Sequence, residues 1–318
     1  MEQDRLPNEV IDSLHDFDKE ADQIIRSFLE STELLPAPDV IYHYTNDAGL
    51  KGILDGKGFW FTDIFQLNDP TEIRHGIEKA ALVLKHSVNH SLPEHKIFYS
   101  HFKEFFDAGF ERVAHYFAFS FSSKVDDLGQ WRGYADNGRG YCLAFDGKML
   151  DSIFTTVGGQ PISSNSTFFV DYDELKITRI QEAIISKMLH LISLPRHIKL
   201  SHAQVIAYMK ALSVSLAVHV LRASLTFKHH AYKPEAEYRF LQLYDSVSAI
   251  PGVQLRNRNY ELIRYVNFDW STYPQILKGI LIGPAANVDK SKSFVDAILA
   301  GNGFQNIPIS FSKIPYRG

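Results

Sequence analysis

The chain has 318 residues, 45% of them hydrophobic and 13% aromatic, with a formal net charge of -4. That composition belongs to a folded globular protein and excludes a disordered one, and the charge gives no global attraction to nucleic acid or to an anionic membrane. Cys142 is the single cysteine, so an internal disulfide is excluded and a reducing, cytoplasmic setting is expected.

The first thirty residues lack a basic start followed by an apolar run, so no secretory signal is expected. Val10, Ile11, Leu14, Phe17, Ala21, Ile24, Ile25 and Phe28 recur at helical spacing and predict an amphipathic helix over about 8–31. Its apolar stripe is expected to serve a homo-oligomer or another partner. Pro36-Ala-Pro38 ends it as a stiff hinge, separating an N-terminal helical segment, 1–36, from a single domain over 37–318. Strands are predicted at Val40–Tyr44 and Phe59–Thr62, and helices at about 71–90 and 94–110. Ile97, Phe98, Phe102, Phe105 and Phe106 share one face of the second helix. Tyr116–Ser122 and Gly140–Phe145 read as strands flanking a short helix at Asp127–Tyr134, and a loop over 158–166 leads to a strand at Thr167–Asp171.

Two long helices, about 174–193 and 202–226, form an inserted helical subdomain. The stretch Ala203–Phe227 is apolar but interrupted by Lys210, His219 and Arg222, so it is expected as a buried helix and no membrane span is expected. Strands at Glu237–Tyr244, Leu262–Asn267 and Ile276–Ile282, a helix at about 288–300 and a strand near Ile307–Ser312 complete the chain. Without a regular βαβ rhythm, the fold class is α+β with a mixed or antiparallel sheet.

Familiar catalytic motifs are absent: there is no G-x-S-x-G and no H-E-x-x-H. Gly283-Pro284 to Lys290-Ser291 lacks the second glycine of a phosphate loop and reads as a turn with a helix start. His86 and His90 stand four apart on a predicted helix without a third ligand, so no metal is assigned to them. In a strand, Glu235, Glu237 and Arg239 would share a face. The two carboxylates would lie roughly 6.6 Å apart, repelling by on the order of 2.5 kcal/mol at an effective dielectric near 20. Leu241 and Leu243 continue that face, which fits either a solvated strand or a cleft wall that turns from charged to apolar. His43, in Ile41-Tyr42-His43-Tyr44-Thr45, fits either a core histidine or a site residue. Asn68-Asp69-Pro70-Thr71-Glu72 fits a helix start. Ser120 and Ser122 alternate on a strand that feeds a helix carrying Trp131 and Tyr134 three apart, a pair suited to the core or to sandwiching a planar ring.

Together, His43-Tyr44-Thr45, Asn68-Asp69-Pro70 with Glu72, Ser120-Phe121-Ser122 with Trp131 and Tyr134, Gly140 to Phe145, and Glu235/Glu237/Arg239 resemble the bacterial family catalogued as domain of unknown function 2971. Ile280 to Pro284 and Ser312 to Arg317 add to the likeness, which spans roughly 40–318. The order of these segments looks like that of NAD-dependent ADP-ribosyltransferases, although Tyr44 stands where many of them carry glycine and the 174–226 insertion exceeds the minimal fold. The resemblance implies NAD as substrate, with His43 anchoring a ribose, Trp131 or Tyr134 stacking on nicotinamide and Glu237 as catalytic glutamate. Glu235 would orient the acceptor, a protein or nucleic acid, or support Glu237. Tyr44, Thr45, Ser120 and Ser122 would line the cofactor, and Arg239 would pair with a carboxylate or contact phosphate. A toxin or anti-phage effector is the implied role. Two alternatives remain: a binding or sensing module without turnover, and a metal-dependent nuclease using Asp69, Glu72, Glu235 and Glu237.

Overall fold

A computed structural model describes residues 5–31, 37–67, 71–110, 114–244, 250–258 and 260–316. The elements run α1 (Asn8–Ser31), β1 (Val40–Thr45), α2 (Asp47–Gly56), β2 (Gly58–Asp63), α3 (Thr71–Ser87), α4 (Pro93–Ala108), β3 (His115–Ser122) and α5 (Leu128–Tyr134). They continue with β4 (Tyr141–Asp146), α6 (Gly147–Thr155), the short β5 (Thr156–Val157) and β6 (Gln160–Pro161), β7 (Asn165–Phe169), α7 (Glu174–Ile192) and α8 (His202–Ser224). Last come β8 (Glu237–Tyr244), β9 (Gln254–Arg258), β10 (Glu261–Asp269), β11 (Leu277–Ile282), α9 (Val288–Gly301) and β12 (Ile309–Phe311).

The α+β class holds: one mixed sheet is antiparallel except where β11 pairs in parallel with β12. Helices α2 and α6 and strands β5, β6 and β9 have no counterpart among the expected elements. Each is short, and α2 and α6 begin on Asx caps, the Asn46 and Asp146 side chains accepting from the amides of Gly49 and Met149. Pro36 and the Asn68-Asp69-Pro70 motif lie outside the described residues, as does the side chain of Phe106.

The sheet lies between two helical layers. In β3, Tyr116 and Ala118 face the core shared with α1, α3, α4, α7 and α8, while Phe117 and Phe121 face the core shared with α2, α6 and α9. Both faces of this central strand are buried over Tyr116–Ala118 and at Phe121, which its apolar sequence reflects, while Ser120 is exposed. α8 is apolar around most of its circumference because α3, α4, α7 and α1 surround it. Among the described residues it is the one helix long and apolar enough to cross a membrane by length and composition, and half of that stretch is buried in this core.

The stripe on α1, expected to meet a partner, is occupied within the chain. Val10, Phe17, Ala21 and Ile25 are buried against α7 and α8. Asp18 accepts from Ser215 and pairs with His219 Nε2 at 3.0 Å, and Asp22 pairs with Arg222. α1 is thus part of the same helical layer as the 174–226 pair.

The sheet forks at β3. One edge of β3 pairs with β8 along its whole length. The other edge meets β2 at Phe117–Ala118 and β1 at Ser122, and neither register includes Phe119–Phe121. β1 leads on to β4, β11 and β12, and β2 to β10 and β9.

Helices α3 and α8 pack closely at Gly76. A Cβ on Gly76 would lie 2.4 Å from Ser224 Oγ, 2.5 Å from Ser224 Cβ and 2.9 Å from Ile177 Cδ1. Helix propensity alone would favour Gly76→Ala by about 1 kcal/mol, but overpacking costs about 1–3 kcal/mol. A net loss of stability is expected, read as a lower urea midpoint with an unchanged slope. A raised midpoint would mean that the helices can separate at no cost.

Candidate functional site

β8 begins at Glu237, and its alternation sends Glu237, Arg239 and Leu241 toward the α7–α8 layer, on the same face as Ser120 and Ser122 of β3. Glu235 is not on this strand. It ends a 3-10 turn, His230–Glu235, and Ala236 takes a left-handed conformation at φ 46°, ψ 51°. The expected strand relation between Glu235 and Glu237 is therefore corrected. Pro234 and the kink at Ala236 break the extended run one residue before β8.

The two carboxylates converge nonetheless, through a residue the sequence reading did not select. Lys228 Nζ donates to Glu235 Oε2 at 2.7 Å and to Glu237 Oε2 at 3.2 Å, and it lies 4.8 Å from the centroid of the Tyr232 ring. The available signal was electrostatic. Two neighbouring carboxylates on a partly apolar face require a cation, and Lys228 closes the α8-to-β8 connection.

Arg239 supplies the second cation. Its Nε and Nη2 both lie 2.7 Å from Glu237 Oε1, and Nη1 donates to the carbonyl of Leu225 at 2.9 Å. Leu225 caps the C-terminus of α8, where unpaired carbonyls and the helix dipole favour a positive charge. Glu237 Oε1 also accepts from Ser120 Oγ at 2.5 Å, and the Glu237 amide donates to Tyr172 Oη at 3.0 Å. Burial alone would raise the Glu237 carboxyl, but the Arg239 and Lys228 charges outweigh it and hold it well below the ordinary carboxylate range. Glu237 and Arg239 are 5% and 1% exposed, so this is an interior ion pair.

Glu235 lies at the rim. Its Oε1 accepts from Tyr134 Oη at 2.6 Å, and its carbonyl accepts from Ser122 Oγ at 2.7 Å. Partial burial and the bond to Glu235 push the Tyr134 hydroxyl upward, so it stays protonated and donates. Tyr134 is 41% exposed, which leaves its ring open to a ligand.

Trp131 and Tyr44 have no such freedom. Trp131 is fully buried, its Nε1 donating to Asp126 Oδ1 at 2.8 Å, and its ring packs edge-on against Tyr44 at 4.9 Å. Tyr44 Oη donates to the Lys124 carbonyl and accepts from the Asp127 amide. The expected stacking role of Trp131 and lining role of Tyr44 are corrected: both are a buried support for α5. Asp126 also accepts from the Lys313 amide and the Ser312 hydroxyl, which explains the C-terminal Ser312–Tyr316 stretch as a strap over this support. Thr45 ends β1 opposite Tyr141. Gly283 approaches the Gly138 carbonyl closely enough that a Cβ would lie 2.3 Å from it, a packing role and no phosphate cradle.

His43 sits in the fork. Its half-buried ring stacks on Phe119 at 4.5 Å, and Nδ1 lies 3.2 Å from the Ser120 carbonyl, on the stretch of β3 that neither β1 nor β2 pairs. A carbonyl only accepts, so Nδ1 carries the proton and Nε2 the lone pair. Burial pushes the ring down to about 4, partly offset by the Ser120 bond, so it is neutral near pH 7. His43 and Glu237 approach from opposite faces of β3 and both touch Ser120, one at its carbonyl and the other at its hydroxyl. Asp69 and the side chain of Glu72 lie outside the described residues.

The family model for Protein of unknown function (DUF2971) matches residues 130–240, the stretch from α5 to the first half of β8. It includes Trp131, Tyr134, Lys228, Glu235, Glu237 and Arg239, and it supports placing this part of the chain with that family. No curated protein and no solved structure matches the chain.

Removing the Glu237 charge would leave Arg239 and Lys228 with one carboxylate fewer. Glu237→Gln is expected to destabilise the fold by about 3–5 kcal/mol near pH 7. A depressed carboxyl contributes stability that is full above its unfolded value, near 4.5, and is lost as pH falls toward its folded one. The stability gap between wild type and variant, measured by urea unfolding, should therefore close below about pH 4.5. A gap independent of pH would contradict the ion-pair account.

Proposed function

We propose that this chain is an NAD-cleaving enzyme of the ADP-ribosyltransferase type, working at the β3–β8 end of the sheet. The observation that supports it is an ionised Glu237, held by Ser120 and Arg239, next to the rim formed by Tyr134 and Glu235, with His43 at the fork on the other face of β3. In this reading the nicotinamide C–N bond breaks and its electron pair leaves with neutral nicotinamide. The ribose becomes an oxocarbenium-like cation, captured by an acceptor nucleophile or by water, which then loses a proton. An ionised, desolvated Glu237 stabilises that cation electrostatically. The neutral His43 offers Nε2 to a ribose hydroxyl, Tyr134 offers its exposed ring to a planar base, and Glu235 faces the acceptor. Arg239 takes the carboxylate-pairing one of its two implied roles. The setting is cytoplasmic, the acceptor a protein or nucleic acid, and the biological role that of a toxin or phage-defence effector.

One observation favours a second reading, in which a nucleotide or peptide binds without turnover. Glu237 already accepts from Ser120, Arg239 and Lys228, and the two carboxylates are balanced by two cations. A nuclease reading gains less, since Lys228 Nζ occupies the position between Glu235 and Glu237 that a divalent ion would need.

Incubation of the purified chain with labelled NAD, alone and with cell lysate, separates these readings. Nicotinamide release or label transfer is expected, reduced by about 100-fold in Glu235→Gln and in His43→Ala. Binding of NAD without release would favour the second reading. No binding at all would overturn both as far as NAD is concerned.

A further inference from the structure

A second cluster of chemically active side chains lies next to this site but is independent of the NAD reading. Glu174 opens α7 beside its Asp173 cap, and His229 and His230 follow Lys228 in the turn that ends at Glu235. His229 Nε2 lies 3.8 Å and His230 Nδ1 3.9 Å from the same oxygen, Glu174 Oε1. One ligand atom from each residue lies within 4.8 Å of the others. These separations are too long for hydrogen bonds. Ligands on a tetrahedral ion with bonds of 2.0–2.1 Å stand roughly 3.3 Å apart, so side-chain adjustments on the order of 1 Å would close the set.

The other carboxylate oxygen has its own neighbours. Glu174 Oε2 lies 3.8 Å from His75 Nε2 and 3.9 Å from Lys79 Nζ, both on α3. His75 Nε2 is shielded from solvent and has no hydrogen-bond partner. A buried imidazole nitrogen aimed at a carboxylate that two further imidazoles also approach is an arrangement a metal ion would explain. Two imidazoles and one carboxylate suit first-row transition ions such as zinc, and partners on the non-ligating oxygen are what hold a ligating carboxylate in place.

We propose that Glu174, His229 and His230 form a binding site for a zinc-class divalent metal ion, with His75 and the Lys79 charge facing the second oxygen of Glu174. The half-exposed position of the cluster leaves further coordination sites to water. Binding through His229 Nε2 places the ring proton on Nδ1 and releases the contact in which Nδ1 accepts from the Ala231 amide at 3.2 Å. The ion would tie the start of the 229–235 turn to α7, its coordinate bonds taking the place of that side-chain cap.

The test is equilibrium dialysis of the full chain with Zn2+, together with thermal unfolding at graded Zn2+ and the visible spectrum of added Co2+. The expected result is one equivalent bound, a Zn2+-dependent rise in Tm and a Co2+ spectrum of low-symmetry nitrogen–oxygen ligation. Affinity should fall at least about tenfold in His229→Ala and in Glu174→Gln, while His86→Ala/His90→Ala leaves it unchanged. With fourteen histidines in the chain, that last control is decisive. Binding that survives His229→Ala and His230→Ala together, or that disappears in the His86/His90 variant, overturns the proposal, as does the absence of stoichiometric binding.

Discussion

The Arg239–Glu237 pair ties the central sheet to the end of the long core helix through buried polar contacts. One end of the guanidinium grips a carboxylate on the central strand, and the other satisfies a carbonyl at the end of the long core helix α8. A buried charge pair is a poor source of net stability, but its geometry fixes where the helix may end relative to the strand. Ser120 and Lys228 complete the arrangement, so the end of α8, the start of β8 and the middle of β3 share one polar junction that runs from the buried Arg239 out to the exposed Ser120. The candidate chemistry sits at this junction because an interior carboxylate can stay ionised only where such partners surround it.

The fork at β3 supplies the other requirement. A strand in the middle of a sheet ordinarily has both edges paired, but β1 and β2 share one edge of β3 and part beside Phe119–Phe121. His43 fills the opening and caps the Ser120 carbonyl, which has no strand opposite it on that edge. A histidine in this position is at once a structural cap and a neutral side chain with a lone pair at a break in the sheet.

Much of this was legible in the sequence, for identifiable reasons. Long periodic segments such as α1, α7 and α8, and alternating ones such as β3, carry their burial in their spacing. The placement of Glu237, Arg239 and Leu241 on one face likewise follows from the period of two. Glu235 escaped that logic because one left-handed residue, Ala236, breaks the period, and alanine gives no warning of such a conformation. Trp131 and Tyr134 share a helix and a spacing, yet one is interior and the other rimward. What separates them is Asp126 and the C-terminal strap, contacts made across 186 residues of sequence. Lys228 was hidden for a similar reason, since its importance is electrostatic and appears only once two carboxylates are known to share a pocket. The short α2, α6 and β9 lack enough residues to display a period at all.

The central position of β8 bears on how the protein is made. Ser120 and Glu237 stand 117 residues apart in sequence, yet they occupy neighbouring strands. A ribosome releasing the chain from its N-terminus would deliver β3 well before its principal partner. For that interval a strand rich in phenylalanine has an open edge, the kind of surface that invites pairing with another chain. The long α7–α8 hairpin emerges in the meantime and is able to cover one face of β3 by local helix packing. It cannot cover the edge. A chain ending before β8 would lack the ion-pair junction and leave that edge of β3 without its partner strand.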